Sequence, residues 1–224
     1  YKTINLISNK FRTYKILEKN NLKMPLFFLS KNLNVLKKHV RMFIKQKREF
    51  VIKPLESRGG RGIIICSVFD SKRVRKNAKR IKFFNFTNFR FDKAIFKFGP
   101  VIIMEKLYPP AYDVDCLVIK NKIYSVFRKR INQYGIPYLG NKFVNTKKNF
   151  NIKKIIKILN LKHLSDLDFF SDKAGKPVLI EANPRPSGSI SLCYKENIPI
   201  FSYAISKFLK VKYPKLDLNK KFKS

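Results

Sequence analysis

A chain of 224 residues is long enough for one or two domains with a sizeable core, and a hydrophobic content of 45% excludes a disordered polypeptide. No apolar run approaches the roughly 18 residues of a membrane helix, so we expect no membrane span. Lysine and arginine number 50 against 14 acidic residues, which gives a formal net charge of +36.

This charge has two explanations. A strongly basic surface attracts phosphate backbones, which suggests a nucleic-acid-binding protein. However, the lysines are spread along the chain, Asn, Ile, Phe and Tyr are frequent as in an AT-rich genome, and no RNA- or DNA-binding signature is present. Biased coding explains the charge more simply, and weak nonspecific binding to nucleic acid or an anionic surface is still expected.

The compartment is indicated by the cysteines. Cys66, Cys116 and Cys193 form no close pair, which argues against a zinc site or a disulfide framework and fits a reducing environment. No signal peptide is visible, so we expect a cytoplasmic protein. The chain opens at Tyr1 without an initiator methionine and in mid-pattern, which predicts a fragment of a longer protein.

Two helices are predicted at the start of the chain. Ser8 or Asn9 can cap a helix that runs to about Asn20. A second amphipathic helix fits residues 32–45 and can be capped by Ser30.

A glycine-rich segment follows a strand that ends in a lysine. Residues 50–54 (F-V-I-K-P) precede L-E-S-R-G-G-R-G and a second strand at residues 63–69. Glycines let backbone amides approach an anion, which predicts a flexible flap over phosphates, with an ordinary mobile turn as the alternative. There is no G-K-[ST] and no helix follows directly, so it is not a Walker A loop. The candidate phosphate-binding residues are Lys53, Ser57, Gly59, Gly60 and Gly62.

The middle of the chain is less regular. A basic helix is expected from Asp70 or Ser71 to about Lys82, and the phenylalanine-rich residues 83–98 show no clean period. Residues 101–107 (V-I-I-M-E-K-L) form an apolar strand.

A β-hairpin is predicted from residues 116–119 and 122–131. Within its second strand, Arg128 and Arg130 share one face because side chains alternate along a strand. A solvated basic strand is the alternative explanation. Farther on, a helix is expected up to about Leu161.

The stretch that begins at Asp168, D-F-F-S-D-K-A-G-K-P-V-L-I-E-A-N-P-R-P-S-G-S, concentrates polar side chains. A tight turn at D-K-A-G-K would place Asp168 and Glu181 on adjacent strands, with Asn183 projecting to the same side. Three oxygen ligands on one side suit Mg²⁺. Arg185, held extended by two prolines, offers a planar donor fork to phosphate or carboxylate. A surface hairpin with an acidic end is the alternative.

Taken in order, these motifs resemble the ATP-grasp superfamily, which includes carbamoyl phosphate synthetase and biotin carboxylase. The resemblance covers about residues 7–209, and E-A-N-P-R-P-S-G matches the metal- and phosphate-binding end. It implies an α+β fold in which two subdomains grip the nucleotide between two mostly antiparallel sheets. Residues 1–104 would carry the entry helices and small subdomain, and residues 105–224 the large subdomain. The resemblance also implies a separate N-terminal domain before this pattern, which fits the expectation that the chain is a fragment.

The resemblance also implies roles in ATP binding. Lys10, in N-K-F-R-T-Y-K-I-L-E-K, matches a lysine that faces the nucleotide phosphates, and Lys53 matches the lysine that contacts the α- and β-phosphates. The adenine edge would meet Glu105, Lys106 and Leu107 at the hinge between the subdomains.

One motif departs from the family pattern. Where the family reads P-G-x-E-Y-x-V-D, residues 108–115 of this chain read Y-P-P-A-Y-D-V-D, and Ala111 stands in place of the glutamate that holds the ribose hydroxyls. Either Asp113 substitutes for that glutamate, or the nucleotide affinity is low.

The resemblance also implies roles for three arginines. Arg185 would neutralise the transferred phosphate, and Arg128 or Arg130 would hold the substrate carboxylate.

The implied activity is that of an ATP-dependent carboxylate–amine ligase. A small-molecule carboxylate would attack the γ-phosphate of ATP, and an amine would displace phosphate from the acylphosphate. The cofactors would be ATP and Mg²⁺, with Mn²⁺ as an alternative, and the metal ligands Asp168, Glu181 and Asn183. A degenerate, non-catalytic ATP-grasp domain and a basic nucleic-acid-binding protein are the two alternatives.

Overall fold

A computed structural model describes residues 2–56, 61–67, 81–86, 89–131, 141–145 and 150–213. The chain divides into two compact units. Residues 8–107 form the N-terminal unit, and residues 108–224 together with residues 1–7 form the C-terminal unit. The first helix of the chain, α1 (Lys2–Ser8), belongs almost entirely to the C-terminal unit.

The N-terminal unit is built on a five-stranded sheet. Its elements in chain order are α2 (Lys10–Lys19), β1 (Phe27–Ser30), α3 (Leu33–Lys45), β2 (Phe50–Pro54), β3 (Ile63–Cys66), β4 (Ile81–Phe84), a 3₁₀ helix (Lys93–Phe96) and β5 (Val101–Glu105). The strand order is β1-β5-β2-β3-β4, and every pair is antiparallel except β3 with β4.

The side chains of β1 show that helices cover both faces of this sheet. The Phe27 ring packs edge-to-face on Tyr14 of α2 at 5.4 Å, whereas the next ring, Phe28, meets Phe43 of α3 at 6.2 Å. Successive strand residues point to opposite faces, so α2 and α3 lie on opposite sides of the sheet. The α3 side holds an apolar core, in which Phe43 and Phe50 are fully buried.

The C-terminal unit is built on a second five-stranded sheet. Its elements are β6 (Tyr108–Ile119), β7 (Lys122–Arg130), β8 (Asn141–Phe143), α4 (Ile152–Leu159), β9 (His163–Ser171), β10 (Pro177–Asn183), α5 (Ser191–Lys195) and α6 (Ile200–Phe208). The strand order is β10-β9-β6-β7-β8, and all neighbours are antiparallel.

The two faces of this second sheet differ in chemistry. On one face Phe150 packs against the rings of Tyr112, Phe127 and Phe169 at 5.0–5.2 Å. The opposite face is apolar at one end, where Leu117 packs with residues of α5 and α6. Its other end carries polar side chains, which form the candidate site described below.

Several predicted elements are confirmed. Strand β2 has the predicted bounds, and Asn9 caps α2 by accepting a hydrogen bond from Arg12 N at 3.1 Å. The turn at Asp172 is closed by its side chain, which accepts from Lys176 N at 2.8 Å.

Other predictions were wrong. Asn32, not Ser30, caps α3, because Asn32 Oδ1 accepts from Val35 N at 3.0 Å, while the Ser30 hydroxyl lies 2.9 Å from Nδ1 of His39. The strand expected at residues 63–69 ends at Cys66, and residues 68–80 lie outside the described part. Lys82 lies in strand β4, not at the end of a helix.

Gly62, one of the candidate phosphate-binding residues, also has a structural role. Its φ is +73°, and a Cβ atom there would lie 2.8 Å from Pro54 Cγ and 3.1 Å from the Phe98 ring. Gly99 has a similar φ of +83° but open space around it. Substituting alanine at Gly99 would therefore cause backbone strain alone, whereas at Gly62 it would cause both strain and steric overlap.

We expect Gly62→Ala to destabilise the protein by about 1–2 kcal/mol more than Gly99→Ala, because only the former adds an overlap to the cost of a positive φ. Urea unfolding followed by circular dichroism measures both, since the chain has no tryptophan. Equal losses in the two variants would show that the contact with Pro54 is absent.

Of the helices in the described ranges, none has the length and apolar character needed to cross a membrane.

Candidate functional site

The polar end of the second sheet brings side chains from four strands onto one face. Residues directly opposite each other in an antiparallel ladder project to the same side. Asp113 of β6 lies opposite both Arg128 of β7 and Asp168 of β9, and Asp115 lies opposite Asp166. We call the resulting set the polar face: it consists of Asp113, Asp115, Arg128, Arg130, Asp166, Asp168, Glu181 and Asn183.

A β-bulge brings Glu181 to this face. Leu179 pairs with Phe169, but Glu181, two residues later, pairs with Asp168, the very next residue on the other strand. Without the bulge at Ile180, Glu181 would face Leu167 and project to the opposite, apolar side. The local irregularity thus places two carboxylates opposite each other, with Asn183 and Asp166 as the next pair.

Five of the 14 acidic residues of the chain lie on this face. In a protein with a net charge of +36, carboxylates buried together are conspicuous, because desolvation and mutual repulsion both disfavour their charged forms. The arrangement requires cations, either from side chains or from a ligand.

Arg130 supplies one such cation and bridges two strands. Its Nε donates to Asp113 Oδ1 at 2.8 Å, its Nη2 also contacts that oxygen, and Nη2 donates to Asp168 Oδ1 at 2.8 Å. Asn141 Nδ2 of β8 donates to the other oxygen of Asp113 at 3.0 Å. Both carboxylate oxygens of Asp113 are therefore engaged, and the residue is buried.

The carboxyl pKa values differ sharply across the face. Burial would raise the pKa of Asp113, but the charge and hydrogen bonds of Arg130 hold that pKa below its usual range. Burial and the neighbouring Asp166 raise the pKa of Asp168 well above its usual range, although Arg130 opposes this. Burial, with the charges of Asp115 and Asp113, raises the pKa of Asp166 to about 7. Asp166 and Asp168 thus hold their protons more tightly than ordinary carboxyl groups, because the nearby cations do not offset burial and mutual repulsion.

Arg128 is fully buried and differs in this from Arg130, whose side chain is 12% exposed. It forms an ion pair with Asp115 and hydrogen bonds with Ser187 and Ser189. Burial raises the pKa of Asp115 despite the charge of Arg128. The predicted contact of Arg128 with a substrate carboxylate stays a prediction, and Arg130 is the more accessible of the two.

The segment after β10 places a third guanidinium beside the face. Arg185 is 54% exposed in its side chain, and its Nη1 lies 3.7 Å from Asp166 Oδ2. Asn183 Nδ2 donates to the same oxygen at 3.4 Å. Asp166 Oδ1 is buried and finds no hydrogen-bond donor among the described residues.

These observations bear on the expected Mg²⁺ site. The described residues contain no group of three carboxylate, histidine or cysteine side chains that could hold a metal ion. The predicted set has only two carboxylates, Asp168 and Glu181, which face each other, with the amide of Asn183 one pair away. Among the described residues, Asp168 and Glu181 offer carboxylate oxygens and Asn183 an amide oxygen, and oxygens are the ligands that Mg²⁺ prefers, so these residues fit Mg²⁺ chemically. Their role as ligands stays a prediction.

In the N-terminal unit the predicted ATP-binding residues lie on two elements. Lys10 begins α2 and Lys53 lies on β2, and both side chains are largely buried. Of the glycine-rich candidates, Gly62 is described above, whereas Ser57, Gly59 and Gly60 lie outside the described residues.

The predicted adenine-contacting residues are the last residue of β5, Glu105, and the two residues after it. Lys106 Nζ donates to Glu49 Oε2 at 2.9 Å, and Lys106 N donates to Glu49 O at 2.9 Å. Glu105 N donates to Leu26 O at 2.8 Å. A backbone donor for an adenine edge would therefore have to come from Leu107.

The sequence reasoning missed three polar residues. Asp113 and Asp168 were chosen as candidates but Asp115 and Asp166 were not, and Glu49 was given no role. A signal was available, since Y-D-V-D-C and S-D-L-D-F each place two aspartates two residues apart within apolar strands. Such alternation puts both aspartates of each pair on one face.

Comparison with protein families gives two matches. Residues 97–223 match the family described as "ATP-grasp in the biosynthetic pathway with Ter operon", and residues 1–88 match the family described as "Sugar-transfer associated ATP-grasp". No curated protein matches the sequence at a significant level.

Solved structures with the same arrangement include three synthetases. N5-carboxyaminoimidazole synthetase from Staphylococcus aureus, complexed with ADP, has a TM-score of 0.66 at 13% identity, and the match covers 96% of this chain and 54% of that one. D-alanyl-alanine synthetase A from Vibrio cholerae gives 0.65 at 14%, covering 93% and 66%. L-amino acid ligase from Bacillus licheniformis gives 0.57 at 20%, covering 86% and 44%.

The chain thus spans about half to two thirds of the length of these proteins. At such identities the likeness shows the fold alone. It confirms the predicted α+β class with two mostly antiparallel sheets.

Proposed function

Because the chain belongs to the ATP-grasp superfamily, with more than half of its residues matching one family of that superfamily, we propose that it is an ATP-dependent ligase that joins a carboxylate to an amine. The observation that carries the proposal is the polar face, where Asp168 and Glu181 lie opposite each other beside Arg130 and Arg185. Phosphoryl transfer needs this combination of oxygen ligands and fixed cations more than it needs an acid–base pair.

In the proposed reaction an oxygen of the substrate carboxylate bonds to the γ-phosphorus of ATP while the bond from that phosphorus to the β–γ bridging oxygen breaks, releasing ADP. The amine nitrogen then attacks the acyl carbon, phosphate leaves with the shared oxygen, and the nitrogen loses a proton. The protein's task is to hold charged groups in place and to offset their repulsion.

We assign roles to the residues of the C-terminal unit on this basis. Asp168, Glu181 and Asn183 would hold Mg²⁺, which when bound offsets the charge of the phosphate oxygens. Arg185, being 54% exposed, would turn its donor fork toward the transferred phosphate. Arg130 is the better candidate for the substrate carboxylate, because its side chain keeps some exposure whereas that of Arg128 has none.

For the N-terminal unit we propose that Lys10 and Lys53 contact the nucleotide phosphates, together with the glycine-rich residues 57–62. Their support is the motif order and the family match of residues 1–88. The adenine edge would form hydrogen bonds with the backbone N–H group of Leu107 and with the backbone carbonyl groups of Glu105 and Lys106.

The experiment is a calorimetric titration of ATP with and without Mg²⁺. We expect Glu181→Gln to lower the affinity for MgATP about tenfold, toward that for ATP with a chelator, because one oxygen ligand loses its charge. The matched control is Glu18→Gln, whose carboxylate pairs only locally, with Lys15 at 2.9 Å. Unchanged Mg²⁺ dependence in Glu181→Gln would rule out the metal assignment.

A nucleotide-binding domain without catalysis is the second candidate. It is favoured by Ala111, which is fully buried where relatives carry the ribose-binding glutamate, and by Asp113, whose two oxygens are taken by Arg130 and Asn141. These two contacts argue against the expected ribose contact of Asp113. ATP binding without turnover across a panel of carboxylates and amines would favour this second candidate.

A further inference from the structure

Arg128 is the largest fully buried side chain of the described residues. Burying a guanidinium is costly unless its donors are paired, so apolar packing does not explain the position of this residue. Arg128 belongs to the polar face and lies two residues before Arg130 on β7, which suggests that its burial serves the candidate site.

The donors of Arg128 are directed at one loop. We call residues 184–190, between β10 and α5, the PRPSGS loop. Nη1 of Arg128 donates to Ser189 O at 2.7 Å and to Ser189 Oγ at 2.6 Å, and Nη2 donates to Ser187 Oγ at 2.9 Å. Asp115 completes the cluster: it pairs with Arg128 and lies 3.4 Å from Ser187 N.

The PRPSGS loop needs such an anchor. Pro184 and Pro186 have no N–H group and cannot extend the β10 ladder. The backbone hydrogen bonds from Ile190 N to Ser187 O, at 3.3 Å, and from Leu192 N to Ser189 O, at 3.0 Å, join the loop to itself and to α5 rather than to the sheet. Side chains of β6 and β7 therefore provide the tie to the sheet.

We propose that Arg128 is a positioning residue, which with Asp115 clamps the PRPSGS loop through Ser187 and Ser189 and thereby holds Arg185 beside the polar face. The clamp starts two residues after Arg185, whose exposed side chain donates to Pro186 O of the same loop at 2.8 Å and lies 3.7 Å from Asp166 Oδ2. The inference rests on the proposed function in assigning Arg185 to a phosphate, whereas the clamp itself rests on the contacts alone.

Direct binding of substrate by Arg128 is a poorer explanation. Two of its three nitrogens are committed to the loop and to Asp115, and the remaining Nε is buried. A substrate carboxylate would have to displace the loop to reach it. In a clamp, by contrast, full burial is useful, since a charge-assisted hydrogen bond is stronger where water is excluded.

The test releases the loop without removing the buried charge. The double variant Ser187→Ala/Ser189→Ala deletes both hydroxyls and leaves the Arg128–Asp115 pair, and Arg128→Lys serves as a second variant that keeps the charge but loses the fork. Ser206→Ala is the matched control: its hydroxyl is also buried but donates to Tyr203 O within α6, at 2.8 Å. Two quantities are measured: amide hydrogen exchange over residues 187–193, and the affinity for MgATP.

We expect exchange over these residues to rise at least tenfold in both clamp variants and to stay unchanged in Ser206→Ala. We expect the affinity for MgATP to fall about fivefold in the serine variant and no further when Arg185→Ala is added, because the two changes then remove the same interaction. This non-additivity is a result that general destabilisation would not produce.

Two results would overturn the inference: unchanged exchange in the clamp variants, or affinity losses that add fully with Arg185→Ala. If the parent protein does not bind MgATP while the variants still show faster exchange, the clamp is confirmed and the proposed function is what fails.

Discussion

Replacing Arg130 by methionine is expected to destabilise the protein by about 3–5 kcal/mol, since it leaves buried carboxylates without their cation. Arg130 contacts Asp113 and Asp168 at once, and its own side chain is only 12% exposed. Methionine fills similar volume but carries no charge, so the loss reflects electrostatics more than packing. Chemical unfolding at neutral pH, followed by circular dichroism, measures the change.

The neighbouring Lys129 provides the control. It lies on the same strand, is exposed and projects to the other face, so Lys129→Met should change the stability by less than about 0.5 kcal/mol. Adding Asp113→Asn to Arg130→Met should recover part of the loss, because one stranded charge is removed. Equal effects of Arg130→Met and Lys129→Met would mean that the buried ion pairs do not form.

Asp166→Asn is expected to stabilise the protein at neutral pH and to have no effect in acid. The pKa of Asp166 is raised from 3.8 to about 7, chiefly by burial. Above the unfolded value the unfolded chain releases its proton while the folded protein retains it, so the stability falls as the pH rises from about 4 to about 7. An asparagine has the same shape and no proton to release.

The expected gain is about 2 kcal/mol or more at pH 7, declining to zero near pH 4. It is measured by unfolding in the presence of a chelator, so that no divalent ion compensates the charge. Asp92→Asn is the control: Asp92 is exposed and caps the 3₁₀ helix through Ala94 N at 2.8 Å, and asparagine caps equally well. A gain for Asp166→Asn that is the same at both pH values would exclude titration as its cause.

Arg130→Met and Asp166→Asn both test the charge balance of the polar face. Arg130 neutralises part of the acidic face, whereas Asp166 marks where neutralisation is incomplete. A site that binds a divalent cation and phosphates is expected to carry such an imbalance in its empty form, because a fully compensated face would have no charge left for the ligand.

Some features of this protein were determined by the sequence through local interactions. The bounds of β2, the cap at Asn9 and the turn at Asp172 each depend on residues within a few positions of one another. The family resemblance was also visible, since E-A-N-P-R-P-S-G and the motifs before it occur in one order along the chain. The turn predicted after Asp168 likewise placed Asp168 and Glu181 on adjacent strands, which the register confirms.

Other features were decided only by the tertiary structure. Strands β1 and β4 are four residues long, and what makes them strands is pairing with β5 and β3, which local propensity does not encode. The bulge that turns Glu181 toward Asp168 depends on the register between β9 and β10, and a one-residue slip would reverse its direction.

The difference in burial between Arg128 and Arg130 was also decided only by the tertiary structure. The sequence placed both on one face of one strand, which the register confirms. It could not show that Arg128 is fully buried and Arg130 partly exposed. This difference arises because the PRPSGS loop, some sixty residues later in the chain, folds over Arg128. Periodicity along a strand determines the direction of a side chain, but its burial and charge partners are set by segments that only the folded chain brings together.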